Sequence, residues 1–307
     1  EHMNRVKSTF TIKDLENITG IKAHTLRIWE KRHNLLQPER TDTNIRRYSL
    51  NSLKKLLNVT LLYNHGFKIS KIASLDENEI PIMVRQIALK SNSEQVAINA
   101  FKLAMVNFDN VLFDANYDEI LAQHDFEHVF IKIFMPLMRE LGILWQTGAI
   151  SPAHEHFISN LIAQKIQINT EKLQSISLDS KNTYVLFLPE NEIHELGVLF
   201  LNYYILSQNY KTIFLGQSLT TESLNTVMTF SDSLTFVTYL TVEPNKEEVD
   251  GYLRDFQDTI LEGTQSSLHI LGPLQMLINP ATLPTQVKLH PTFETFRLEF
   301  FGEQIFV

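Results

Sequence analysis

The chain has 307 residues, 44% of them apolar and 20% charged, enough for two or three globular domains. It contains no Cys, which excludes disulfides, thiolate metal sites and cysteine nucleophiles and fits a cytoplasmic protein. The net charge of −8 argues against nucleic acid for the chain as a whole, and neither a signal peptide nor a membrane span of roughly 20 apolar residues is expected.

The charge is unevenly spread. Between Arg5 and Lys55 twelve Lys/Arg face five Asp/Glu, a local net charge of +7 that leaves −15 for the rest. A basic module joined to an acidic body is the footprint of a DNA-binding head on a sensor or enzyme. Glu1-His2-Met3 reads as a cloning remnant ahead of a native Met3. Thr11 is an N-cap with Asp14 three residues on, and Ile12, Leu15 and Ile18 give the first helix one apolar face. Gly20 ends it. A second helix is expected from about Ala23 to Arg32, with Leu26 and Trp29 inward and Lys22, Arg27, Lys31 and Arg32 outward. Two short helices joined by a glycine turn make a helix-turn-helix whose second helix enters the major groove.

Pro38 keeps the next stretch out of any helix, Thr41 to Asn44 is turn-forming, and Arg46-Arg47-Tyr48 follows as a short strand. This β-wing is expected to place Arg40, Arg46, Arg47 and Tyr48 against phosphates, beside Lys22, His24, Thr25 and Arg27 of the helix. The stretch Thr11 to Ser49, with Thr25-Leu-Arg-Ile-Trp-Glu, Leu-Leu-Gln-Pro-Glu-Arg and Arg-Arg-Tyr-Ser, closely resembles the MerR-family winged helix. Helices over about Leu50 to Asn64 and Ile69 to Ser74 complete such a head, with Gly66-Phe67 as the turn.

From Glu79 to Leu173 the pattern is helical throughout. Four amphipathic stripes are read: Ile82 to Leu89, Val96 to Phe108, Ile120 to Leu141 and Phe157 to Ile168. Pro81, Asn116 and Ser151-Pro152 are placed at helix starts, and Pro136 should kink or break its helix. The stripes suggest a four-helix bundle. Sustained heptads are missing, so a dimer interface of the coiled-coil kind is not expected here. His154 and His156 fall on different helical faces, and without His-Glu-x-x-His spacing or a third ligand a zinc hydrolase is improbable. Trp145, nine residues, then Glu155-His156 resembles the spacing in B12-dependent photoreceptor repressors related to MerR. That resemblance implies Trp145 packing over the upper face of adenosylcobalamin, Glu155 beside the adenosyl group, and His156 able to ligate cobalt after light breaks the carbon–cobalt bond.

From Asn182 onward strand and helix alternate. Tyr184 to Leu188 is a short apolar run, broken at Pro189 into a polar loop holding Glu192-x-His194-x-x-Gly197, and an apolar helix follows. Strands at Thr212–Leu215, Thr235–Leu240 and Leu268–Leu271, and helices at Ser223–Phe230 and Lys246–Leu261, predict a Rossmann-like parallel sheet. Val287–His290 and Thr295–Phe301 are expected to complete it at an edge. In such sheets ligands bind at the carboxyl ends of the strands. An imidazole there can ligate a metal while a carboxylate two residues earlier takes the other N–H, and Gly197 lets helix and sheet pack closely.

The loop resembles the cobalamin motif Asp/Glu-x-His-x-x-Gly, which implies His194 as the lower cobalt ligand. In B12 domains a Ser-x-Leu follows about forty residues later. Here Thr238-Tyr239-Leu240 stands near that place, and threonine keeps the hydroxyl that bonds the displaced base. Where the family has Gly-Gly along the nucleotide tail, this chain has Gly272-Pro273, and the proline ring narrows that pocket. The stretch after Gly216 also lacks the proline often found there. The resemblance covers nearly the whole chain and divides it into a head (4–78), a helical cap (79–177) and a Rossmann-like domain (182–307). It implies a transcriptional repressor, not an enzyme, that binds adenosylcobalamin or another cobalamin between bundle and sheet. Its implied partners are a double-stranded DNA operator and its own copies, as dimer or tetramer, with no membrane. Two alternatives stay open: a regulator whose B12 domain has lost its ligand and acts by protein interaction, and a corrinoid methyl carrier.

Overall fold

The computed structural model of the protein describes residues 9–76, 78–88, 94–146, 150–174, 179–231 and 233–302. The chain divides into two compact units, Glu1–Ile162 and Ala163–Val307.

The first unit opens with β1 (Thr9–Phe10), α1 (Ile12–Thr19), α2 (Ala23–His33), β2 (Glu39–Arg40), β3 (Arg46–Ser49), α3 (Leu50–Asn64) and α4 (Ile69–Ala73). Thr11 and Asp14 form a reciprocal capping box on α1, and Gly20 closes it in the left-handed conformation. The strands make a small antiparallel sheet in the order β1-β3-β2. Leu15, Ile18, Leu26, Trp29, Leu53 and Leu56 are buried beneath the two reading helices.

Next come α5 (Glu79–Ala88), α6 (Glu94–Asn107), α7 (Asn110–Leu121), α8 (Phe126–His128), a π-helical segment (Val129–Phe134), α9 (Met135–Gln146) and α10 (Pro152–Gln174), which runs on into the second unit. Helix α6 is buried on every side from Val96 to Val106, the signature of a central helix. Phe113 and Phe134 pack against its Phe101. Two expectations need correction. The stripe Ile120 to Leu141 is not one helix: α7 ends at Leu121, and Asp125 caps a new start. Asn116 does not begin a helix but lies buried within α7, where its side-chain amide donates to the Ala97 carbonyl at 3.2 Å. The break expected at Pro136 is present as the π-helical segment just before it. A proline there has no N–H for the carbonyl four residues back, and the register shifts to compensate.

The second unit continues with β4 (Asp179–Pro189), α11 (Leu196–Ser207), β5 (Tyr210–Leu219), α12 (Thr221–Met228), β6 (Thr235–Tyr239), α13 (Val249–Phe256), a π turn (Gln257–Leu261), β7 (Ser267–Leu271), two short 3-10 turns, β8 (Val287–Leu289) and α14 (Phe293–Phe301). All pairings are parallel, in the order β5-β4-β6-β7-β8. Strand β4 is buried on both faces. Val185 and Phe187 join one core with Leu253 and Phe256, while Tyr184, Leu186 and Leu188 join another with Val198, Ile205 and Phe296. Strand β5 runs past its expected end through an irregularity at Gly216. Thr295–Phe301 does not extend the sheet. It is helical because Thr292 and Thr295 form a capping box and the rings of Phe293, Phe296, Phe300 and Phe301 gather at helical spacing over the Tyr184 and Tyr204 side.

Candidate functional site

In the strand order β5-β4-β6-β7-β8 the topology reverses between β4 and β6, and the crevice beyond their carboxyl ends is where such sheets bind ligands. The loop after β4 lies at that place. Its organising residue is Glu192, fully buried. One carboxylate oxygen accepts the N–H groups of Ile193 and His194, both at 3.0 Å, and meets the His194 Nδ1 at 2.6 Å. The other accepts three successive N–H groups of the loop after β6: Thr241 (3.1 Å), Val242 (2.7 Å) and Glu243 (2.9 Å). Burial alone would push this carboxyl up. The N–H groups of Val242, Glu243 and His194, with the His194 ring, outweigh it and hold the group at about 2.

A carboxylate so held is an acceptor only, so the Nδ1 of His194 must carry its hydrogen. In the neutral ring Nε2 then keeps its lone pair, on a side chain 52% exposed. On these loops Ile193 is 62% exposed and Val242 51%, and Met276 and Leu277 are exposed beyond β7. The position of Gly197 is as tight as expected, since a Cβ there would stand 2.5 Å from the Tyr239 ring.

Thr238 on β6 is fully buried and its hydroxyl finds no hydrogen-bond partner among the described residues. Such a group costs free energy unless a ligand atom completes it. Leu240 is buried beside it. Gly272 has φ +97°, and a Cβ there would meet the Leu240 carbonyl oxygen at 2.3 Å, so the chain packs backbone on backbone at this end of β7. Pro273 begins a 3-10 turn there. An unpartnered hydroxyl, an available imidazole nitrogen, exposed apolar side chains and a close-packed glycine fit the lower side of a corrinoid. The anchoring of Glu192 on the Thr241–Glu243 amides escaped the sequence reading. Its partners lie some fifty residues away, and no local pattern marks them.

In the first unit Glu155 and His156 lie on α10. Glu155 accepts from the Ser159 hydroxyl at 2.6 Å, and its other oxygen is 3.7 Å from the Nε2 of His156, an exposed ring. His154 faces the other way, buried and stacked on Phe108. Trp145 is in the last turn of α9; its side chain lies outside the described residues.

On the head, Lys22, His24, Arg27 and Arg40 are exposed and Thr25 and Arg47 half-buried. Arg40 donates to the Asn44 side chain at 2.6 Å across the wing turn. Tyr48 corrects an expectation: it is buried opposite Phe10 and cannot reach a phosphate. Its hydroxyl donates to Glu30 on α2 at 3.0 Å, and the same carboxylate holds the Arg46 Nε at 3.1 Å. Burial and the Glu30 charge push the Tyr48 phenol up. Arg46 and Tyr48 therefore fasten wing to helix, leaving Arg40 and Arg47 as the wing's outward cations.

A family model described as MerR HTH family regulatory protein matches residues 10–79, and one described as B12 binding domain matches residues 97–168, the helices from α6 into α10. The HTH-type transcriptional repressor CarH of Myxococcus xanthus is 24% identical over 258 residues, 82% of this chain and 83% of that protein. The repressor CarA of the same organism is 26% identical over 210 residues, 68% of each chain. Among solved structures, the monomethylamine corrinoid protein of Methanosarcina barkeri aligns with a TM-score of 0.50 at 10% identity, covering 71% of this chain and 95% of that one, a likeness of fold alone. No helix among the described residues is long and apolar enough to cross a membrane. The chain thus joins a MerR-type helix-turn-helix to a B12-binding domain and is homologous to the CarH and CarA transcriptional repressors.

Proposed function

We propose that this protein is a light-responsive repressor that binds adenosylcobalamin and couples the state of that cofactor to its own assembly on a DNA operator. The observation that carries the reading is His194, whose Nδ1 is tied to the buried Glu192 at 2.6 Å while Nε2 stays available at the switch point of a parallel sheet. In this reading His194 would hold the cobalt, Glu192 would fix the tautomer of that imidazole, and the Thr238 hydroxyl would bond a polar group of the cofactor. Leu240, Gly197 and Gly272 shape the tail pocket. Trp145 and Glu155 would serve the adenosyl group, and His156 would be available as a further nitrogen donor to cobalt. The cofactor would supply a carbon–cobalt bond that light cleaves.

The head supplies the output. Lys22, His24, Thr25 and Arg27 read the operator, and Arg40 and Arg47 hold its phosphates. For the cofactor to control binding it must favour the assembled form, a dimer or tetramer, over the free chain. The test is an absorbance spectrum of the protein after incubation with adenosylcobalamin in the dark, before and after green light, with size-exclusion chromatography alongside. A co-eluting corrinoid spectrum that changes on illumination together with the elution volume is expected. A colourless protein would overturn the cofactor assignment. A corrinoid-bound protein whose assembly ignores light would overturn the light response.

A further inference from the structure

Far from the Glu192 loop in sequence, three side chains that the proposed function does not use converge at the β8 edge of the sheet. His269 is buried in the middle of β7, His290 is buried one residue beyond β8, and Glu299 projects from α14. One donor atom from each lies within 4.8 Å of the other two. We propose that His269, His290 and Glu299 bind one divalent transition-metal ion of the zinc class, which fastens the last helix to the sheet.

The convergence of donor atoms suits a cation. The outer nitrogen of His269, Nε2, meets the Ser267 hydroxyl at 3.1 Å. The Nδ1 of His290 faces Glu299 at 3.9 Å, and this ring is also hydrogen-bonded to the Thr295 backbone. The inner pair, His269 Nδ1 and His290 Nε2, face each other at 2.9 Å. A dication is bound by neutral imidazoles. Nitrogens about 3 Å apart suit a metal about 2.0 Å from each, and two His with one carboxylate is a zinc donor set. The Ser267 hydroxyl is the outer partner that orients a metal-bound imidazole. Phe300 and Phe296 wall the rings at 4.6 and 5.2 Å, and the exposed Glu299 marks the route of entry. Lys288, salt-bridged to Glu299, competes with the ion for that carboxylate.

The test is titration of the full, corrinoid-free chain with Zn2+ by calorimetry, with thermal melts alongside. One ion per chain and a melting temperature raised by several degrees are expected. His290→Asn should abolish both effects. Because that site is buried, two surface variants keep the test sound: Glu299→Gln should weaken binding tenfold or more, and Lys288→Ala should tighten it. His128→Ala, at the stacked His124–His128 pair on the other unit, should leave uptake unchanged. The proposal is overturned by absence of stoichiometric uptake, by uptake that Glu299→Gln and Lys288→Ala leave unaltered, or by uptake that His128→Ala removes.

Discussion

Replacing Glu192 by Gln tests the site at its anchor. The folded chain holds this carboxyl at about 2 against an ordinary 4.5, so between those values the unfolded form binds more protons than the folded one. The stabilisation is complete above pH 4.5 and drains away as pH falls toward 2. At 1.36 kcal/mol per pH unit the gap is worth about 3 kcal/mol. Gln forfeits it at neutral pH, because one oxygen becomes an NH2 group aimed either at the N–H groups of Thr241, Val242 and Glu243 or at those of Ile193 and His194. The assay is denaturant unfolding of both proteins at pH 7, 5 and 3, with hydrogen-exchange mass spectrometry on peptides covering residues 184–195 and 235–245. The variant should be less stable by about 3 kcal/mol at pH 7, with most of the difference gone at pH 3. A difference under about 1 kcal/mol at neutral pH, or one that does not change with pH, would refute the claim that an ionised Glu192 ties the two loops together.

Further outcomes follow from neighbouring residues. His194→Ala removes the ring bonded to the buried Glu192, so it should weaken cobalamin binding and alter its spectrum while costing the apo protein about 1–2 kcal/mol. Thr238→Val replaces a buried hydroxyl that has no partner; it should stabilise the apo protein by about 1 kcal/mol and yet lower cobalamin retention, and loss of apo stability would show that the hydroxyl is already satisfied. Gly197→Ala sets a methyl 2.5 Å from the Tyr239 ring and should cost about 1–3 kcal/mol in unfolding experiments. On the head, Arg47→Ala should reduce the slope of log affinity against log salt by about 1, whereas Tyr48→Phe should leave that slope alone and cost about 1 kcal/mol of stability.

Much of the architecture was readable because local chemistry and global fold agree. The Tyr184–Leu188 run, the break at Pro189 and the apolar stretch from Val198 gave the strand, loop and helix that carry His194. Thr11, Gly20 and the wing turn gave the head in the same way. The errors have physical causes. Asn116 resembled a helix start because Asn favours caps, but in α7 the Ala97 carbonyl satisfies it. The aromatic segment Phe293–Phe301 suits a strand by composition, and what makes it helical is its capping box and packing against rings over a hundred residues away in the chain. Tyr48 was placed at the surface because its arginine neighbours are, although alternation along β3 turns it inward. The unpaired state of the Thr238 hydroxyl, and the cluster at His269, depend on which strands lie side by side, which no single segment encodes.

The shared grip of Glu30 has a consequence for how the head reads a promoter. One carboxylate clamps both the reading helix and the adjoining hairpin, through Tyr48 and Arg46. The two surfaces that meet the duplex therefore move as a single rigid jaw. Where groove width or local twist departs from the shape of that jaw, the duplex has to deform, so stiffness in bases the protein never touches becomes part of what it recognises.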